Sequence, residues 1–201
     1  MTSVWDERYA GDEYHFGTGP NAFLASQQSL LKPGMSCLAV ADGEGRNGVW
    51  LAGQGLDVLS VDASSVAQEK ARKLARQRGV EVKFELVDLT LWDWGENRFD
   101  MVAAIFIQFA PPELREQMFA HIKRCLKPGG LLLLQGYTPR QLHYRTGGPS
   151  QAENLYTEAL LRSAFDDMQI LHLREHDDII SEGSGHSGMS ALIDLVARKH
   201  R

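Results

Sequence analysis

Leu38 to Asn47 reads LAVADGEGRN: a short apolar run, then alternating glycines, then polar residues that open a helix. Glycine has no side chain, so this arrangement lets bare backbone approach a ligand at the end of a strand. A second apolar run, Val58-Leu59-Ser60-Val61, ends in Asp62 at the roughly 20-residue spacing of a nucleoside-binding βαβ unit. A carboxylate there sits at the tip of the neighbouring parallel strand and accepts hydrogen bonds from both hydroxyls of a ribose. The pattern points to an adenine-type nucleoside cofactor.

Working outward, strands and helices alternate. CLAVA (37–41) and DVLSVD (57–62) are strands, each followed by a helix, Arg46–Gln54 and then Ser64 to about Gly79. Ser64 or Ser65 suits the N-cap, and Gly79 the left-handed stop. VKFELVD (82–88) and FDMVAAIF (99–106) are the third and fourth strands. Pro111 and Pro112 open a helix to Leu126, Lys127–Gly130 forms a turn, and LLLLQGY (131–137) is the fifth strand. Such near-continuous apolar strands are covered on both faces. A helix near Thr157–Phe165 precedes strands Met168–Glu175 and Ser190–Ala197. Their connection holds Gly183, Gly185 and Gly188 and no helix, so the pair is an antiparallel hairpin. The fold expected is α/β: a doubly wound, Rossmann-like, mostly parallel seven-stranded sheet with a C-terminal antiparallel hairpin strand and helices on both faces. Helices at Val4–Tyr9 and Asn21–Leu31 precede it. Residues 1–34 then form a helical cover and 35–201 the cofactor-binding core of a single domain.

Composition narrows the class. The 201 residues are 43% hydrophobic with a net charge of −5, and no apolar stretch is long enough to span a membrane. The charge argues against a nucleic-acid partner, the polar start against a secretory signal, and the two distant cysteines, Cys37 and Cys125, for buried thiols in the cytoplasm. Oligomeric state is open.

Gly43–Gly48 also satisfies GxGxxG, so a dinucleotide enzyme is the rival. Asp42 and Glu44 within the loop oppose it: each repels a pyrophosphate by ~4 kcal/mol at ~4 Å and an effective dielectric of about 20. The same carboxylates attract a sulfonium carrying an ammonium group.

With GEGRN, Asp62, Asp88 and LKPGG in this order, the chain resembles a class I S-adenosylmethionine-dependent methyltransferase. GRN, RCLKPGG and the terminal LVARK make it similar to the small tellurite-resistance group, and WDERY…GTGPN to thiopurine-type methyltransferases. The resemblance implies S-adenosyl-L-methionine as cofactor. Ala41, Gly43 and Gly45 line its methionine end, Arg46 reaches the methionine carboxylate and Asp62 holds the ribose. Ala63 packs beside the adenine, which Asp88 and the Leu89 amide read, and the Ile105 carbonyl meets the ammonium. Ala39 stands where the family carries an acid, so affinity is weakened unless Asp42 or Glu44 compensates.

The expected reaction is in-line methyl transfer to a small-molecule acceptor, a thiol or chalcogen nucleophile among the candidates. The alternatives are an NAD-dependent oxidoreductase and a non-catalytic cofactor-binding module. Alignment supplies much of the barrier reduction in such a displacement, so a base is optional. The catalytic candidates are Tyr14 and His15 in the N-terminal cover, beside Tyr9, then Tyr137 after the fifth strand and His186 in the hairpin loop. Arg140, His143 and Tyr144 line the same edge as Tyr137. His172 and His176 have a helical metal spacing but fall in a strand, so no metal is expected. Trp92 and Trp94 read as packing.

Overall fold

A computed structural model of the protein describes residues 4–201. Seven strands form one sheet: β1 (Ser36–Val40), β2 (Asp57–Asp62), β3 (Lys83–Leu86), β4 (Phe99–Ile105), β5 (Leu126–Tyr137), β6 (Met168–Glu182) and β7 (His186–Lys199). Their order is β3-β2-β1-β4-β5-β7-β6. The pairs β1/β2, β2/β3 and β4/β5 are parallel and β5/β7 is antiparallel, which is the mixed sheet expected from the alternation. Seven helices accompany it among the described residues: α1 (Val4–Tyr9), α2 (Ala22–Ser26), α3 (Arg46–Gly53), α4 (Ser65–Arg78), α5 (Pro112–Cys125), α6 (Gln141–Tyr144) and α7 (Glu158–Ala164). Packing divides the chain into two compact units. The first ends at Trp92 and regains Glu182–Gly185; the second holds Asp93–Ser181 and His186–Arg201.

In the first unit β1 and β2 are buried from their second residue onward, whereas the outer strand β3 is largely exposed. Both ends of α4 fall where the caps predict. The Ser64 hydroxyl accepts from the Ala67 N–H, and Gly79 adopts φ +65°, a left-handed geometry that glycine enters without a Cβ penalty. The segment expected as one helix from Asn21 to Leu31 is broken. It is α2, capped by Asn21, followed by a 3-10 turn at Gln28–Leu30. The Ser26 hydroxyl bonds back to the Phe23 carbonyl at 2.6 Å, and serine side chains that engage nearby backbone weaken a helix interior.

The second unit departs from expectation in two places. Lys127–Gly130 is not a free turn: β5 already begins at Leu126, which pairs with Phe99, and the register shifts before Met101 meets Leu131. Pro128 and Gly129 (φ +81°) sit in this irregularity, where a proline costs no ladder hydrogen bond. The hairpin strands are also longer than the apolar runs suggest. β6 extends through its polar half to Glu182, and Gly188 lies inside β7 at φ +122°, leaving only Gly183–Gly185 as the turn. As the terminal strand of the sheet, β6 tolerates the charged residues that hid it.

Trp94 is fully buried and stacks on His121, and Phe119 packs against Tyr156 and Phe165. Trp92 instead donates to Glu85 at 3.1 Å. Both cysteines are free and buried, and burial pushes the Cys125 thiol up to about 12, which leaves it unreactive near neutral pH.

Candidate functional site

The glycine loop between β1 and α3 is held in shape by Asp62. One carboxylate oxygen accepts the Gly43 N–H and the other the Ser64 N–H, each at 2.8 Å. Asp62 is only 8% exposed, and burial pushes its pKa up while these backbone donors oppose the rise. A carboxylate has about four acceptor positions, and with backbone donors at Gly43, Ser64 and Ala63 it keeps spare capacity for a hydroxyl. Ala63, beside it, is exposed.

The loop runs through left-handed geometry at Ala41 (φ +48°), Gly43 (+57°) and Gly45 (+84°). At Ala41 the Cβ makes this costly, of order 1–2 kcal/mol. Ala41→Gly is expected to gain a net ~0.5 kcal/mol in urea unfolding, since the extra unfolded-state freedom of glycine offsets part of the relief. A loss of stability would show that the strain is absent.

Each glycine here has its own reason. A Cβ at Gly43 would lie 2.9 Å from the Tyr9 hydroxyl, and one at Gly45 2.6 Å from the Ala71 Cβ. A Cβ at Gly48 would strike the Asp42 carboxylate. The third glycine of GxGxxG makes room for an aspartate.

That aspartate corrects the electrostatic expectation. Asp42 is turned inward, accepting from the Ser60 hydroxyl at 2.8 Å and the Gly48 N–H at 3.1 Å. Burial foremost, with Asp62 adding, pushes its pKa up to about 7. Glu44 pairs with Lys70 at 2.8 Å and accepts the Phe16 N–H at 3.4 Å. The two loop carboxylates therefore have internal partners, and they do not act as two free anions toward a ligand.

Arg46, the first residue of α3, is buried. Its Nη2 pairs with Glu182 at 2.6 Å, while its Nη1 is buried without a hydrogen-bond partner. Asn47 accepts the Asn21 N–H at 2.9 Å. Glu182 and Asn21 were not foreseen as site residues from sequence; a PN dipeptide before a helix is the signal Asn21 leaves, and Glu182 lies at the end of the polar half of β6.

Among the N-terminal candidates, Tyr9 is the one set against the glycine loop. It is buried, its hydroxyl pushed up by burial and by the Asp62 and Glu44 charges. Asp6 accepts from the Ser64 hydroxyl at 2.6 Å and so fastens α1 to the start of α4. Tyr14 donates to the Lys70 carbonyl at 3.1 Å, a packing role. His15 lies edge-on to Phe16 and Tyr9, with Ser184 at 3.4 Å, and burial pushes its pKa down. Asp88 is exposed and bonded to the Thr90 N–H and hydroxyl, which hold its carboxyl below the usual range; Leu89 is buried.

In the second unit the structure brings Tyr137 and His186 together. Their ring centroids are 5.7 Å apart, and Phe106 lies 4.7 Å from Tyr137 and 4.5 Å from His186. Phe106 directly follows Ile105, the end of β4, and holds φ +55°, rare for a bulky residue. Arg140 and Tyr144 both donate to Asp177, and His176 pairs with Asp194. His143 is exposed on α6.

Residues 37–130 match the family described as a methyltransferase domain. Among curated relatives, the chain is 33% identical over 132 residues to the ribosomal protein L11 methyltransferase of Dictyoglomus turgidum, covering 63% of this chain and 42% of that protein. The chain thus spans well under two thirds of that relative's length. Among solved structures it resembles one described as "Conversion of a Disulfide Bond into a Thioacetal Group during Echinomycin Biosynthesis" (TM-score 0.79, 22% identity, 100% of this chain and 92% of the other). It also resembles TehB from Haemophilus influenzae (TM-score 0.73, 16% identity, 97% and 65%). The solved structures share the Rossmann-like fold of this chain, and its residues 37–130 are similar to a methyltransferase domain.

Proposed function

We propose that this protein transfers a methyl group from S-adenosyl-L-methionine to a small molecule whose accepting atom is sulfur or a heavier chalcogen. The observation that carries the cofactor half is the Gly43–Asp62–Ser64 clamp, which presents a buried carboxylate with spare acceptor capacity beside bare backbone. The residues fit the group. Asp62 takes the ribose hydroxyls, the Arg46 Nη1 the methionine carboxylate, Ala41, Gly43 and Gly45 the methionine chain, and Tyr9 closes over it. Asp88, Leu89 and Ala63 serve the adenine.

When bound, the cofactor supplies an electrophilic methyl on a sulfonium. The protein's part is to align and to keep the site dry. Within the second unit, Phe106, Tyr137 and His186 form an aromatic cluster in which Tyr137 and His186 are buried and Phe106 partly so. A nucleophile that ionises readily needs no base, so neither Tyr14 nor His15 has to act as one. The relative named for a ribosomal protein favours a larger acceptor, whereas those named for demethylmenaquinone and phosphoethanolamine favour a small one.

Methyl-labelled cofactor offered with small thiols, selenide and tellurite, and separately with protein and amine acceptors, tests this. Transfer to the thiol or chalcogen set is expected. Transfer confined to protein would overturn the acceptor, and binding of NAD(H) in place of S-adenosylmethionine would overturn the cofactor.

A further inference from the structure

The carboxylate facing Arg46 comes from the far end of the sequence. Glu182 closes β6, is 8% exposed, and divides its two oxygens between two tasks. Oε2 meets the Arg46 Nη2 at 2.6 Å; Oε1 accepts from the Asn21 side-chain amide at 3.0 Å and the Ala22 N–H at 3.2 Å. Asn21 in turn caps α2 through the Leu24 N–H, and its own N–H reaches Asn47, the neighbour of Arg46 on α3. The contacts close a ring, Arg46 to Glu182 to Asn21 to Asn47. The hairpin turn that carries Glu182 is itself fixed: the Gly185 N–H bonds to the His15 carbonyl at 2.9 Å. At Gly183 a Cβ would collide with the backbone of residues 15–17.

Arginine has a long, rotamer-rich side chain and five donors in a rigid fork. The ring holds one edge of that fork and leaves the buried Nη1 without a partner. We propose that Glu182 is a positioning residue for cofactor recognition: it locks the Arg46 guanidinium so that Nη1 is presented to the carboxylate of the cofactor's amino-acid end. This rests on the cofactor-binding role of Arg46 given above. Glu182 touches no part of the ligand in this scheme and acts only through Arg46. A purely structural Glu182 would serve the α2 cap alone, and a competing one would have to leave Arg46 when ligand binds.

The test compares two ligands sharing the same nucleoside. S-adenosylhomocysteine carries the amino-acid carboxylate; methylthioadenosine lacks the whole amino-acid end. Calorimetry on the full chain measures both for wild type, Glu182→Gln, Glu182→Ala, Arg46→Met and the Glu182→Gln/Arg46→Met double variant, each checked by thermal melt. Glu182→Gln keeps the volume and can still serve Asn21, but it turns an amide donor toward the Arg46 donor. Both Glu182 variants are expected to weaken S-adenosylhomocysteine about tenfold, the scale of one charge-assisted contact, and methylthioadenosine less than about twofold. In the Arg46→Met background Glu182→Gln should leave the ratio of the two affinities unmoved. Equal weakening of both ligands would overturn the proposal in favour of a structural role, and tighter S-adenosylhomocysteine binding in favour of competition. A ratio that still shifts without Arg46 would also overturn it. Should Arg46→Met itself leave the wild-type ratio intact, the role of Arg46 fails first, and Glu182 loses its object with it.

Discussion

Asp62→Ala is expected to weaken S-adenosylmethionine binding at least ~100-fold, to the edge of detection by calorimetry. Two charge-assisted hydrogen bonds to ribose hydroxyls contribute about 3–4 kcal/mol together after desolvation, which converts to roughly 150- to 900-fold. A second loss adds to the first. The Gly43 and Ser64 N–H groups lose their acceptor, so the loop that shapes the methionine end loosens. Each buried orphaned donor costs about 1–3 kcal/mol, and the variant should therefore melt earlier as well. Asp62→Asn separates the two effects. Its single amide oxygen satisfies one backbone donor, so more of the fold's stability survives, yet it lacks the charge and second acceptor that a ribose diol requires. Affinity in Asp62→Ala within tenfold of wild type would remove Asp62 from the cofactor site altogether.

That Asp62 ends β2 was legible in the sequence because the feature is local: an apolar run closing on a carboxylate at βαβ spacing. The caps of α4 were legible for the same reason, since Ser64 and Gly79 act on backbone within four residues of themselves. What could not be read is partner choice across the chain. Asp42 and Glu44 look alike in the string DGEG, as two anions in a ligand loop. Ser60 and the Gly48 N–H take one inward, and Lys70 holds the other. Position in the loop carries no information about rotamer, so the sequence does not show that both carboxylates take internal partners. The Glu182 ring was hidden more deeply, because its members lie up to 161 positions apart. In the C-terminal hairpin the signal failed for another reason. β6 is the terminal strand, and its charged residues erase the apolar run that marks an inner one.

Asp42→Asn carries the second large effect, on stability, and its sign follows from burial. In the folded protein the Asp42 carboxyl is pushed up to about 7, chiefly by burial and further by Asp62; the Ser60 and Gly48 hydrogen bonds and Arg46 oppose the rise. In the unfolded chain it titrates near ~3.9. Between about pH 4 and pH 7 the folded state therefore binds a proton that the unfolded state lacks, so this group makes stability fall as pH rises through that window. The cost is absent below pH ~4 and complete above pH ~7. Three pKa units correspond to an upper bound of about 4 kcal/mol. Asparagine is neutral throughout. Its oxygen still accepts the Gly48 N–H, and its amide donates to the Ser60 oxygen once that hydroxyl rotates. Allowing for imperfect geometry, the variant should be about 2 kcal/mol more stable than wild type at pH 8 and equal to it near pH 4. Urea unfolding at half-unit pH steps measures this directly. Parallel wild-type and variant profiles would mean that Asp42 ionises freely in the folded state. In that case the glycine loop does carry a full negative charge, and the expectation that Asp42 compensates for the acid missing at Ala39 returns. A profile that converges at low pH and separates by pH 7 would instead assign Asp42 to holding the start of α3, with its carboxyl still partly protonated near pH 7.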